Sequence, residues 1–508
     1  MSANPSRRRF LKSMSHTGTL LAGSSMLPAF EPLAADETKL DPSTVRFHPD
    51  CESLVRLIED TPRQKLLEEI GTRVKNGLSY RQLLAALFLA GVRNVQPRPS
   101  VGFKFHAVLV VNSAHIASQA GPDSDRWLPI FWALDEFKSS QARDTREGNW
   151  TMAAVNEAGV PSPEKVISAF DEAMLAWDEE RADTAAAGLA RHTGATQVLE
   201  SFAKYAARDF RSIGHKAIYV ANAWRTLQTI GWHHAEPVVR SLAYALLNHN
   251  GEPNPADNDL PPDQAWKRNQ SLAKTIRSGW QSGKRSSKAT ELLLSVLRAG
   301  SSEDAADTVV ELLNGEISPQ SIFDALHVGA GELLMRQAGI VALHAVTTTN
   351  AIRFLYDATG NEETRNLLLL QNASFLPLFR KGMQGRGNVA NRSVLELQAT
   401  DSASAASDEL LPKIFADVSG NRRQAADEVF SYLNAGNDAQ DLLREARRLI
   451  FLKGTNAHDY KFSSAALEDF HKISPDWKNR FLATSVFNLR GTGHKDNGLV
   501  ERIRAAVG

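Results

Sequence analysis

The sequence predicts an all-α protein, a multi-helix bundle or solenoid-like array of helix pairs with histidines converging on a central cavity. Three observations carry this. Apolar residues recur at helical spacing through most of the chain. No run of short alternating strands separated by hairpin turns is present. Histidines recur at matching places in distant helix pairs. With 508 residues, 43% of them hydrophobic, the chain can bury a large core. The 58 basic and 58 acidic residues balance, which argues against an electrostatic nucleic-acid binder. The single cysteine, Cys51, excludes an intramolecular disulfide and an all-cysteine metal site.

The N-terminus reads Ser6-Arg7-Arg8-Arg9-Phe10-Leu11-Lys12, which resembles the twin-arginine export signal of bacteria. A modest apolar stretch follows, from Leu20 to Phe30, too short and interrupted for a membrane span. Small residues at Ala34-Ala35 suit cleavage. Residues 1–35 are therefore expected to be a signal peptide, 36–75 an N-terminal extension, and 76–508 one large helical domain. The expected location is periplasmic or otherwise extracytoplasmic, with no stable membrane span in the mature chain.

Several helices declare their starts. Ser79-Tyr80-Arg81-Gln82 reads as a capping box before the stripe Leu83, Leu84, Leu87 and Phe88, with Gly91 as the expected stop. Ser162-Pro163-Glu164 opens a helix whose apolar stripe is Val166, Ile167, Phe170, Met174 and Trp177. Ser302–Leu313 forms another, stopped by Asn314-Gly315, and Ser318-Pro319-Gln320 opens the next. The β-branched runs Val108–Val111 and Val346–Thr349 have helical flanks and read as buried helix. Asn250–Gln264 and Gln384–Asp408 read as loops, as does Gln96–Gly102.

Two segments echo each other. Ser79 precedes His106 by 27 residues and Ser318 precedes His344 by 26. Each histidine is followed by Ala-Val, and Asn112 and Asn350 stand six residues after their histidines. A looser third unit runs from Val198–Asp209 into Gly214-His215, with Asn222 seven residues on. Facing helix pairs of this kind would bring His106, His215 and His344 to one centre, as helix-borne ligands do in bundle metal sites. Asp209, Glu236, Asp324 and Glu332 lie near enough in sequence to orient such ligands.

The other histidines are weaker candidates. His115 lies nine residues after His106 and faces away from it, His249 could line the same cavity, and His327 reads as core. His233-His234 look like a helix entry. His48 and Cys51 are three apart, but no second pair in the sequence completes a zinc site. On spacing alone His458-Asp459-Tyr460-Lys461 is a solvated turn. No nucleophile elbow, Walker loop, dinucleotide fingerprint, H-E-x-x-H or haem-attachment motif is present.

Several blocks resemble the questin oxidase-like family. They are Phe105-His106-Ala107-Val108; Gly214-His215-Lys216-Ala217-Ile218-Tyr219 followed by Glu236 and Leu242–His249; His344-Ala345-Val346-Thr347; and His458-Asp459-Tyr460-Lys461. Members are helical and use oxygen to open oxygenated aromatic rings. The resemblance implies a non-haem iron site with His106, His215, His344 and His458 as ligands and Lys461 as a modified ligand or neighbour. His249, His115 and Glu236 are held in reserve as ligands or their supports. Tyr219 and Trp224, with Trp127 and Trp132, flank the histidine helices and could line an organic pocket. The expected function is an exported metal-dependent oxidoreductase, a non-haem iron oxygenase acting with oxygen on an aromatic or other organic substrate. The rival readings are a non-catalytic helical-repeat scaffold and a haem protein with one axial histidine.

Overall fold

The computed structural model describes residues 41, 43–97, 103–247, 253–399 and 407–508. The export signal and His249 lie outside the described residues. α-Helices dominate, and among the described residues strand pairing is confined to two isolated bridges, Thr44 with Ala153 and Lys284 with Ile317. Pro42–Gly508 is one compact unit with a continuous apolar core. Among the described residues, no helix is long and apolar enough to cross a membrane.

The boundary expected at residue 76 is not observed. Helices Pro49–Asp60 and Arg63–Lys75 belong to the bundle. The first packs on Tyr80–Asn94, and the second on Leu128–Glu147 and the C-terminal helix Leu499–Val507. Buried Arg93 joins the first pair by reaching Glu52 at 2.7 Å and Glu59 at 2.8 Å. Residues 36–75 read as an extension because their charged residues obscured two amphipathic stripes, Val55/Ile58 and Leu66/Leu67/Ile70.

The capping box forms as expected. The Gln82 backbone N–H donates to Ser79 Oγ at 3.3 Å, and the Ser79 N–H donates to Gln82 Oε1 at 3.2 Å. The helix runs past Gly91 to Asn94. Gly91 is a close-approach residue, since a Cβ there would stand 3.0 Å from Val108 Cγ2. It lets the short helix His106–Leu109 press against this scaffold. Two other expectations need correction. The helix after Ser162 starts only at Val166, and Ile167 of its stripe is 42% exposed. The loop expected at 250–264 contains the start of helix Pro261–Leu272, where tandem prolines occupy the first turn.

The first β-branched run spans helices His106–Leu109 and Val111–Ala120 with a turn at Val110 between them, and the second lies within helix Ile340–Ala358. The last of these is central. It packs against Pro319–Arg336, Glu362–Gln384, His215–Ile230 and Ala457–Asp469. Gly214 sets its fit to the His215 helix. With φ of 83°, it turns the chain into the helix, and any Cβ there would overlap the Thr348 side chain.

Candidate metal centre

Each of the three echoing histidines stands in the first turns of its helix. His106 and His215 are first residues, and His344 is four residues after Ile340. Their imidazoles meet in the core at 5%, 4% and 0% exposure. His215 Nε2 lies 3.2 Å from His106 Nε2 and 2.7 Å from His344 Nε2. One donor atom from each lies within 4.8 Å of the others. Two nitrogens bound to a single ion at about 2.0–2.1 Å stand roughly 3 Å apart. The spacing therefore suits one shared cation.

The tautomer of His344 supports this. Its Nδ1 is 2.7 Å from the Ile340 carbonyl oxygen, which can only accept. The proton thus sits on Nδ1, and the Nε2 lone pair faces the centre. Burial holds His106 and His344 well below the usual imidazole range, and neighbouring cationic groups push the same way. Neutral imidazole is the ligand form.

His458 and Lys461 are drawn to the same place by helix Ala457–Asp469, which Asn456 caps. The His458 ring centroid is 4.5 Å from that of His106 and 5.2 Å from that of His344. It stands beside the trio of donor atoms rather than within it. Its pKa is lowered to about 3 by burial and by the Lys461 charge. Lys461 is 2% exposed, its Nζ meets no hydrogen-bond partner among the described residues, and burial lowers it to about 7. The solvated-turn reading of this segment is wrong, because the turn caps a helix whose inner face is core.

A narrow polar crevice leads from Lys461 outwards. Asn112, Asn222 and Asn350, one from each echoing unit, line it with Arg225 and Glu468. Asn112 Nδ2 donates to Asn222 Oδ1 at 3.4 Å, and Asn222 Nδ2 donates to the Leu109 carbonyl at 3.1 Å. Arg225 donates to Asn222, Asn350 and the Glu468 carboxylate at 2.9–3.3 Å. An outer cleft shares Arg225, Asn350 and Glu468. The asparagine echo was visible in the sequence. Arg225 and Glu468, 243 residues apart, carried no signal there.

Other expected site residues stand elsewhere. His115 contacts the Tyr80 hydroxyl at 3.0 Å and Thr229 Oγ1 at 3.3 Å. Glu236 pairs with Arg191 at 2.7 Å near the surface. Tyr219 presents its ring edge to Phe105, and its hydroxyl meets Ser241 Oγ at 2.8 Å. Trp224 packs on Trp232, Trp127 on Phe131, and Trp132 stacks on Tyr460. None of these aromatics lines the crevice. Asp324 pairs with Ser474, and Glu332 with Arg298. His327 is core, as expected, 3.3 Å from Asp469.

Asp209 acts on the His215 helix indirectly. It accepts from Lys216 Nζ at 2.5 Å and from Arg211 Nε at 2.9 Å, all three being buried. Burial pushes its carboxyl up, but the two cations outweigh that and hold it below the usual range. Asp209→Asn would leave buried cations unpaired and is expected to destabilise the fold by about 3–5 kcal/mol. Urea denaturation measures this, and a loss under about 1 kcal/mol would show that the network does not anchor the helix.

No known protein-family model, curated protein or solved structure matches the chain.

Proposed function

We propose that this chain is an exported metal-dependent oxidoreductase whose non-haem iron is held by His106, His215 and His344. The observation that carries the reading is the convergence of three buried imidazole nitrogens from separate helices. Imidazole donors suit iron, copper, zinc and nickel. The likeness of the four histidine blocks to the questin oxidase-like pattern favours iron and oxygen. His458 is the fourth ligand or its support. Iron, when bound, would supply oxygen activation and one-electron chemistry.

The residues of the chain define what surrounds that chemistry. His344 holds its proton on Nδ1 through the Ile340 carbonyl, which fixes its ring. The packed helices keep bulk water away from the trio. Lys461 Nζ, uncharged above about pH 7, can accept a proton at the inner end of the crevice. The asparagine amides and the Arg225 guanidinium offer directional polar contacts. The crevice as it stands has room for about one water, so an organic substrate would have to open it, and the Tyr219 and Trp224 expected from the sequence do not line it.

The test is oxygen uptake by untagged protein loaded with ferrous iron, screened against hydroxylated aromatic substrates. Substrate-dependent uptake that disappears in His106→Ala/His344→Ala is expected. An iron-loaded protein that consumes no oxygen with any of them would remove the oxygenase reading. A metal-free, fully stable chain would favour a helical scaffold.

A further inference from the structure

The sequence pairs His48 with Cys51 and leaves the pair without a partner. The fold brings His233 and His234 beside this segment and divides the two residues between different donor sets. His48 caps helix Pro49–Asp60, and the turn Trp232–His234 comes to lie beside it. His48 Nδ1 is 2.8 Å from Asp50 Oδ1, and His233 Nε2 is 3.2 Å from Asp50 Oδ2. Donor atoms of His48, Asp50 and His233 all lie within 4.8 Å of one another, and so do those of Asp50, Cys51 and His234. Asp50 belongs to both sets. The His48 and His233 rings are 5.2 Å apart, and the His233 and His234 rings 3.8 Å.

We propose that His48, Asp50 and His233 form a second, half-exposed site for a divalent transition metal of the zinc class, with His234 behind it. The donor set is two imidazoles and one carboxylate, with water free to complete a tetrahedron. Carboxylate and imidazole together select zinc-like ions over calcium or magnesium, which take oxygen ligands. Asp50 supplies the negative charge that a cation needs beside a helix N-terminus. The backbone is shaped for the turn: Gly231 has φ of 115°, and a Cβ there would stand 2.9 Å from the His233 ring.

The ion would tie together segments 183 residues apart, the first bundle helix and the connection leaving the His215 helix. Metal that binds only the folded chain stabilises it by mass action. The site is distinct from the buried trio and does not depend on the oxidoreductase reading.

The experiment uses untagged full chain, stripped with chelator and titrated with zinc by calorimetry and thermal unfolding. In the His106→Ala/His344→Ala background, about one zinc per chain and a zinc-dependent rise in Tm are expected. Adding His48→Ala/His233→Ala should weaken zinc binding at least about tenfold and abolish the rise. Asp50→Asn, a near-isosteric surface change, should weaken it in the same direction without unfolding the chain. Absence of zinc binding in the background variant overturns the proposal. So does zinc binding that is unchanged by the surface substitutions. Loss of iron from the trio with zinc retained would leave this site standing, whatever becomes of the oxidoreductase reading.

Discussion

His215→Ala is expected to abolish stoichiometric metal binding at the buried centre. His215 Nε2 is the middle donor, 3.2 Å from one partner and 2.7 Å from the other. Structural zinc sites in small peptides bind with roughly 10–16 kcal/mol in all, and on that scale one of three or four ligands carries about 3–4 kcal/mol. That corresponds to a drop in affinity of about 100- to 1,000-fold. Competition against a chelator of known affinity measures it. The metal-free variant also loses a buried ring and leaves a cavity, which costs roughly 2–4 kcal/mol in stability. The two effects separate because only the first depends on metal concentration. An affinity within about threefold of the original would show that the donors do not share an ion.

Lys461→Met is expected to stabilise the metal-free protein at low pH. Burial lowers the folded-state pKa of Lys461 from 10.5 to about 7. Between those values the unfolded chain keeps a proton that the folded chain has released, so stability of the native sequence rises with pH across the window. Below about pH 7 both states hold the proton, and the folded state bears the full cost of a buried ammonium. Methionine is close in volume and carries no charge. The gain should be on the order of 4 kcal/mol at pH 6 and should fade as pH approaches 10. Urea midpoints of the two proteins at pH 6 and pH 9.5 test this. A difference that does not change with pH would mean that the amine is solvated in the fold.

Both predictions depend on features that differ in how far the sequence revealed them. The trio was legible because a similar spacing from helix start to histidine recurs along the chain. His106 and His215 open their helices and His344 stands one turn into its own, and Asn112, Asn222 and Asn350 follow six or seven residues later. The first set forms the centre and the second the crevice wall. The all-α class followed from helical periodicity and the lack of alternating strand runs.

What failed to show has physical reasons. Tyr219 and Trp224 lie on the His215 helix itself, but its rotation turns them into packing against Phe105 and Trp232. Gly91 has the composition of a helix stop, yet it serves close packing on Val108. The segment His458–Lys461 looks hydrophilic, and only the helices around it reveal that Lys461 is buried. His48 and His233 meet through tertiary structure, with no local pattern joining them.

The most direct test of the central claim is the metal content of the untagged protein, by mass spectrometry, beside that of His106→Ala/His344→Ala. About one tightly held iron per chain is expected, lost in the double variant and retained in Asp50→Asn. A native protein that is folded and free of iron, copper and nickel, with stability unaltered by added metal, would contradict it.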